Sequence, residues 1–190
     1  MGPSSLGAIL ITHYKDGVPM VDSIEYTVET KHDRLEIRKY PRMILATVHG
    51  LSDNEAFGYL FDFISGHNRP KSKIAMTTPV ISSEKIAMTT PVISNERSFS
   101  FVMPSEYSPA TMPEPLEEVI KIEEVPERRV AVIRFRGRTG IQEVETRTSE
   151  LLAELGRRQI RTTGDPFLMR YNPPFMPGFL RRNEVGVEIP

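Results

Sequence analysis

Met43–Gly66 reads MILATVHGLSDNEAFGYLFDFISG, and the plan of the fold is contained in it. MILATV (43–48) is rich in strand-forming side chains, and Gly50 closes it. Ser52-Asp-Asn-Glu55 is a capping-box pattern, in which the Ser hydroxyl bonds the backbone three residues on and the Glu reaches back. Phe57, Leu60, Phe61 and Ile64 follow at i, i+3, i+4 and i+7, one apolar stripe of a helix, and Gly66 fits as its C-cap. The same order returns downstream. Val130 to Phe135 is a strand, Gly137 ends it, and Thr139-Gly-Ile-Gln142 is a second capping-box pattern. Ile141, Val144, Leu151, Leu152 and Leu155 then mark a second amphipathic helix closed by Gly156.

Working outward, Tyr26, Val28, Leu35 and Ile37 alternate with polar residues, as half-buried strands do, with a turn over 31–34. Ser98 to Met103, Val119 to Glu124, Phe167 to Tyr171 and Glu184 to Ile189 are further strands, and 105–117 is a Pro-rich loop. The pattern predicts an α+β protein of two pseudo-symmetric ββαββ-like halves, each with one helix on an antiparallel sheet. A groove is expected where helices and sheet meet. Residues 1–22 read as a partly ordered N-terminal arm and 23–190 as a single domain.

Lys73–Glu84 (KIAMTTPVISSE) and Lys85–Glu96 (KIAMTTPVISNE) agree at eleven of twelve positions. The even period keeps equivalent residues on one face if both copies are extended. Pro79 and Pro91 confine each copy to an edge, a strand end or a bulge.

The 190 residues carry 24 Lys and Arg against 25 Asp and Glu, a net charge of -1. Such a chain has no global field for nucleic acid or an anionic membrane, although local basic patches are not excluded. No cysteine is present, which removes disulfides, thiolate nucleophiles and Cys-held metals. Four His residues without an HExxH motif argue against a multi-histidine metal site. No apolar run approaches a membrane span, and Leu6 to Ile11 is too short for a signal peptide, so a cytoplasmic protein is expected. Neither GxSxG nor a P-loop occurs, so no catalytic residue is assigned. The runs Arg128-Arg129, Arg157-Arg158 and Arg181-Arg182 lack interleaved aromatics and read as carboxylate-paired or solvated faces. The nine Phe and nine Met favour an apolar ligand.

Five pieces carry a resemblance: LEIRKYP (35–41), AFGYLFDFISGHN (56–68), KIAMTTPV (73–80), YNPP (171–174) and RRNEV (181–185). In this order they resemble the SOUL haem-binding protein family, over about Tyr26 to Glu188. The resemblance implies a distorted antiparallel barrel with two helices packed on it, related to the GyrI-like ligand-binding domains. It implies reversible, non-covalent binding of haem or another tetrapyrrole in an apolar cleft, for buffering or delivery, without catalysis.

Carried onto this chain, the cleft is lined by Phe57, Leu60, Phe61 and Ile64, with soft contacts from Met76 and Met88. Arg170, Arg181 or Arg182 are candidates for the propionates. Some relatives are proposed to ligate iron through a His just before the motif Tyr. Lys39 stands there, with an ordinary pKa of about 10.4, and His67 is the nearest alternative. No strong axial ligand is expected. The first KIAMTTPV copy suits the family motif, with the second in the following strand. A monomer without nucleic-acid or membrane partners is expected. The alternatives are a GyrI-like module for another amphipathic, cationic small molecule, for which Asp62 and Glu55 are the acidic groups near the groove, and a groove for a partner helix.

Overall fold

The computed structural model describes residues 14–15, 18–19, 22–71, 83–173 and 175–190. Among them, nine strands form one antiparallel sheet: β1 (Thr27–His32), β2 (Leu35–Tyr40), β3 (Met43–His49), β4 (Val92–Ser94), β5 (Ser98–Val102), β6 (Ile120–Val125), β7 (Arg128–Arg136), β8 (Phe167–Arg170) and β9 (Arg182–Ile189). Two helices cover it, α1 (Asp53–Ile64) and α2 (Ile141–Arg157). Short pairs lie outside the sheet, among them Asn68–Arg69 with Glu114–Pro115 inside the Pro-rich loop.

The spatial order is β6-β3-β5-β4-β8-β9-β7-β2-β1. Chain order therefore reads ββαββ twice, as β2-β3-α1-β4-β5 and β6-β7-α2-β8-β9, but the leading strands are exchanged. β2 pairs with β7 of the second half, and β6 pairs with β3 of the first. Pro41 and Arg42 alone join β2 to β3, and Pro126 and Glu127 alone join β6 to β7. A link of that length spans at most about 11 Å, so strands near opposite ends of the sheet must lie close together. The sheet is curled into a partial barrel, and the expected α+β class holds.

Strand alternation then separates three cores. On the outer face of the first half, Ile44, Ala46, Val48, Phe99 and Phe101 pack against Ala56, Leu60, Phe63 and Ile64 of α1. On the outer face of the second, Leu35, Ile37, Ala131, Ile133, Val185 and Val187 pack against Leu151 and Leu155 of α2. Inside the curl, Tyr40, Met43, Leu45, Ile93, Val102, Val130, Val132 and Met169 fill the space between the halves.

The second KIAMTTPVIS copy supplies the central strand β4. Ile86 is buried under α1 and donates its amide to the Ile64 carbonyl at 2.8 Å, and the Thr89 hydroxyl donates to the Val102 carbonyl at 2.5 Å. Pro91 stands at the start of that strand. The first copy, with Met76 and Pro79, lies outside the described residues.

The Ser52–Glu55 box forms as expected, with Ser52 accepting from the Glu55 amide and Glu55 accepting from Ser52. Ser65 is the cap of α1 and Gly66 the residue beyond it, at φ +117°. The second box does not form. Gly140 is the N-cap without a side-chain bond, because the Thr139 hydroxyl accepts from Arg170 instead. Gly156 lies within the last turn of α2, which runs on to an Arg158 cap, and Gln159 takes the positive φ of 57°.

Gly186 shows how tightly the curl is filled. A Cβ there would stand 3.1 Å from both Met169 Cε and Val130 Cγ1. Gly186→Val is expected to lower stability by about 1–3 kcal/mol through overpacking, read as a reduced urea midpoint at unchanged slope.

Candidate functional site

The helices cover the two halves separately and leave the central strands β4 and β8 open between them. A cavity of about 670 Å³ occupies that gap. Ser94, Leu168 and Arg170 line it from the sheet, Asp53 from the first turn of α1, and Ile141, Val144, Glu145 and Thr148 from α2. Ile141 is 80% exposed there, so the first residue of the α2 stripe faces the cavity rather than the core. Arg170 ties the surrounding elements together. Its guanidinium donates to Asp53 Oδ2 at 2.8 Å, Ser94 Oγ at 2.8 Å and Thr139 Oγ1 at 3.4 Å. Asp53, Glu96, Glu145 and Asp165 face Arg97 and Arg170 in the lining, which is therefore acidic on balance. Asp62 and Glu55, the acidic groups expected from the sequence, are not part of it.

Of the described residues expected around a ligand, Arg170 alone is in the lining of this cavity. Leu60 and Ile64 are buried on the inner side of α1, in one core cluster with Phe99 and Phe101. Phe57 and Phe61 form a separate surface. Their rings stack at 5.8 Å with 13° between planes, Phe57 meets Phe101 edge-on at 5.5 Å, and Phe61 is 47% exposed. Met88 packs partly buried against the same core. His67, past the end of α1, is exposed and lies 3.3 Å from Glu117. The Lys39 ammonium is bonded to Glu127 at 2.7 Å, which raises its pKa and keeps it protonated, so it has no free lone pair for iron. Arg181 Nε donates to the Met176 carbonyl.

The third assembly has no counterpart among the sequence expectations. Inside the curl, Arg38 donates to Glu184 at 2.6 and 3.1 Å, to Glu36 at 2.7 Å and to the Tyr40 hydroxyl at 3.1 Å. Arg182 donates to the other side of Glu184 at 2.7 Å and lies 4.1 Å from the Tyr171 ring centroid. The Tyr171 hydroxyl donates to Glu184 at 2.9 Å. Burial pushes the Glu184 carboxyl up, but Arg38 and Arg182 outweigh it and hold its pKa below the ordinary value. Burial raises Tyr171 and Tyr40, so both hydroxyls stay protonated as donors. Arg182 is therefore paired with Glu184 inside the curl. One sequence signal pointed here: Glu36 with Arg38, and Arg182 with Glu184, are charges two apart on apolar strands, facing one side. The pieces LEIRKY, YN and RRNE meet at this network.

Residues 21–188 match the family described as SOUL heme-binding protein. The chain belongs to that family. No curated protein matches it. Among solved structures, this SOUL-family chain is similar to a hydrolase from Listeria innocua, at TM-score 0.54 and 13% identity over 85% of this chain and 94% of that one. It is also similar to the C-terminal domain of EcmrR, at TM-score 0.55 and 9% identity over 87% and 98%. At such identities the likeness is one of fold. Among the described residues no helix is long and apolar enough to cross a membrane, and no three His, Asp or Glu side chains are grouped to hold a metal ion.

Because Glu184 has a lowered folded-state pKa, its contribution to stability is complete above the unfolded value near 4.5. That contribution is lost as pH falls through the lower folded value. Glu184→Gln is expected to cost about 3–5 kcal/mol at neutral pH, because the buried Arg38 and the part-buried Arg182 lose the carboxylate they share. Chemical denaturation across pH is the measurement: the difference between wild type and variant should shrink toward acid.

Proposed function

We propose that this SOUL-family protein binds haem or a related tetrapyrrole reversibly, without covalent attachment or turnover, as a cytoplasmic monomer that buffers or delivers it. Family membership is the context, and the observation that carries the reading is the Phe57–Phe61 surface. A stacked aromatic pair on a capped helix, half-exposed and backed by Phe99 and Phe101, offers a planar apolar macrocycle a rigid face. Burial at about 25 cal/mol per Å² supplies most of the affinity. Lys39 is held protonated by Glu127 and His67 is an exposed side chain beyond the end of α1, so no strong, fixed axial ligand is expected, and propionates would stay in solvent.

Hemin titration with the Soret band as readout tests this. Saturation at one equivalent is expected, with Phe61→Asp abolishing the shift while stability changes by no more than about 0.5 kcal/mol. Leu60→Ala, beneath the same face, should instead lose about 2–5 kcal/mol of stability. Undiminished hemin binding by Phe61→Asp removes this face from the reading.

A second reading rests on the charge of the cavity. Its carboxylates suit a cationic amphipathic molecule better than a dianionic porphyrin, with Ile141, Val144 and Leu168 for the apolar part. A cationic dye should then bind without displacing hemin, and Glu145→Gln with Asp165→Asn should weaken the dye alone. Competition between dye and hemin would place both ligands on one site.

A further inference from the structure

Phe175, Phe179 and Leu180 are 86, 74 and 53% exposed, all within one six-residue stretch between β8 and β9. Their exposure is held by the backbone. The Met176 amide donates to the Pro173 carbonyl, the Leu180 amide to Pro177, and the Arg182 amide to Asn172 Oδ1 at 2.6 Å. Arg181 Nε donates to the Met176 carbonyl at 2.7 Å, and the Gly137 amide to the Arg181 carbonyl at 3.3 Å. These bonds pin the turn at both ends and across its middle, with the three side chains exposed.

Cations stand beside it. Gly178 is packed against Arg138, where a Cβ would fall 2.9 Å from Arg138 Cγ. Arg136 is opposite Arg182 in the β7–β9 register, and Arg134 lies two residues before it on the same side of β7. All three are exposed, and among the described residues none has a carboxylate partner. Elsewhere the arginine runs have carboxylate partners: Arg128 pairs with Glu188, Arg129 with Glu29, and Arg157 and Arg158 share Glu154.

Protruding aromatic and aliphatic side chains flanked by unpaired guanidiniums suit a fluid apolar layer beneath an anionic surface. They form neither a groove for a helix nor a stacking platform. We propose that this turn docks the protein on an anionic lipid surface, with Phe175, Phe179 and Leu180 entering the headgroup–acyl boundary and Arg134, Arg136 and Arg138 facing the lipid phosphates. The sequence expectation of no membrane partner rested on the net charge of the whole chain and on the lack of a spanning apolar run, neither of which limits a local surface patch.

Flotation of the full-length protein with phosphatidylcholine vesicles, with and without phosphatidylserine, tests the proposal. Binding is expected on the phosphatidylserine vesicles and should weaken with salt. Phe175→Ser with Phe179→Ser should lower the partition coefficient by about tenfold or more. Arg136→Gln with Arg138→Gln should lower it by about fivefold per charge on anionic vesicles only. Thermal melts that match wild type show that these variants fold. The chain has no Trp, so Phe175→Trp gives a single reporter whose emission should shift to the blue on binding. Wild type failing to float with phosphatidylserine vesicles, an unshifted reporter, or an unaffected double Phe variant overturns the proposal. So does a concentration-dependent dimer that the Phe variant dissolves, which would assign the turn to a second copy of this chain.

Discussion

Two connections of two residues each govern the architecture. Pro41-Arg42 and Pro126-Glu127 carry the leading strand of each half into the sheet of the other. With so little chain the crossing is possible only if the sheet curls, and the exchange ties both halves into one hydrogen-bonded surface. Each outer face then needs its own helix, and the inner face is enclosed by strands from both halves. The arrangement of cores, cavity and exposed surfaces follows from that geometry.

An enclosed inner face must be filled and its polar groups satisfied. Apolar side chains fill most of it, and the Arg38–Glu184–Arg182 network with Tyr40 and Tyr171 fills the rest. Two guanidiniums on one carboxylate are tolerable in such a place only because tyrosine hydroxyls and Glu36 complete the hydrogen bonding. The sequence pieces that carry the family resemblance thus divide by face. LEIRKY, YN and RRNE hold the interior together, while the α1 segment presents aromatic rings to solvent. That division explains why charged residues in the most recognisable motifs are poor candidates for ligand contacts.

The outer face is where ligand chemistry is available, and there the two helices create distinct environments. The α1 face is aromatic and rests on Phe99 and Phe101. The gap between the helices is acidic at its rim, with Arg170 bridging α1, β4 and the loop before α2. A porphyrin and a cationic amphiphile are matched to different surfaces of the same sheet.

Much of this was legible from local pattern. The Ser52–Glu55 box, the α1 stripe and the strand alternation depend on spacing along one segment, and spacing sets which side chains share a face. The carboxylate-paired arginine runs were also legible, since near-equal charge numbers and the lack of aromatics left carboxylates as their natural partners. Residues whose role depends on a partner distant in sequence were not. Leu60 and Phe61 belong to one apolar stripe, yet one is core and the other surface, because the place where β5 meets the helix decides it. Thr139 looked like a cap until Arg170, thirty-one residues on, claimed its hydroxyl. Sequence by itself determined the main elements, the Ser52–Glu55 cap and the doubled ββαββ order, since these are set by neighbours within a few residues. Only the tertiary structure decided the strand exchange, the buried ion network and the cavity between the helices, because each depends on groups brought together by the curl of the sheet.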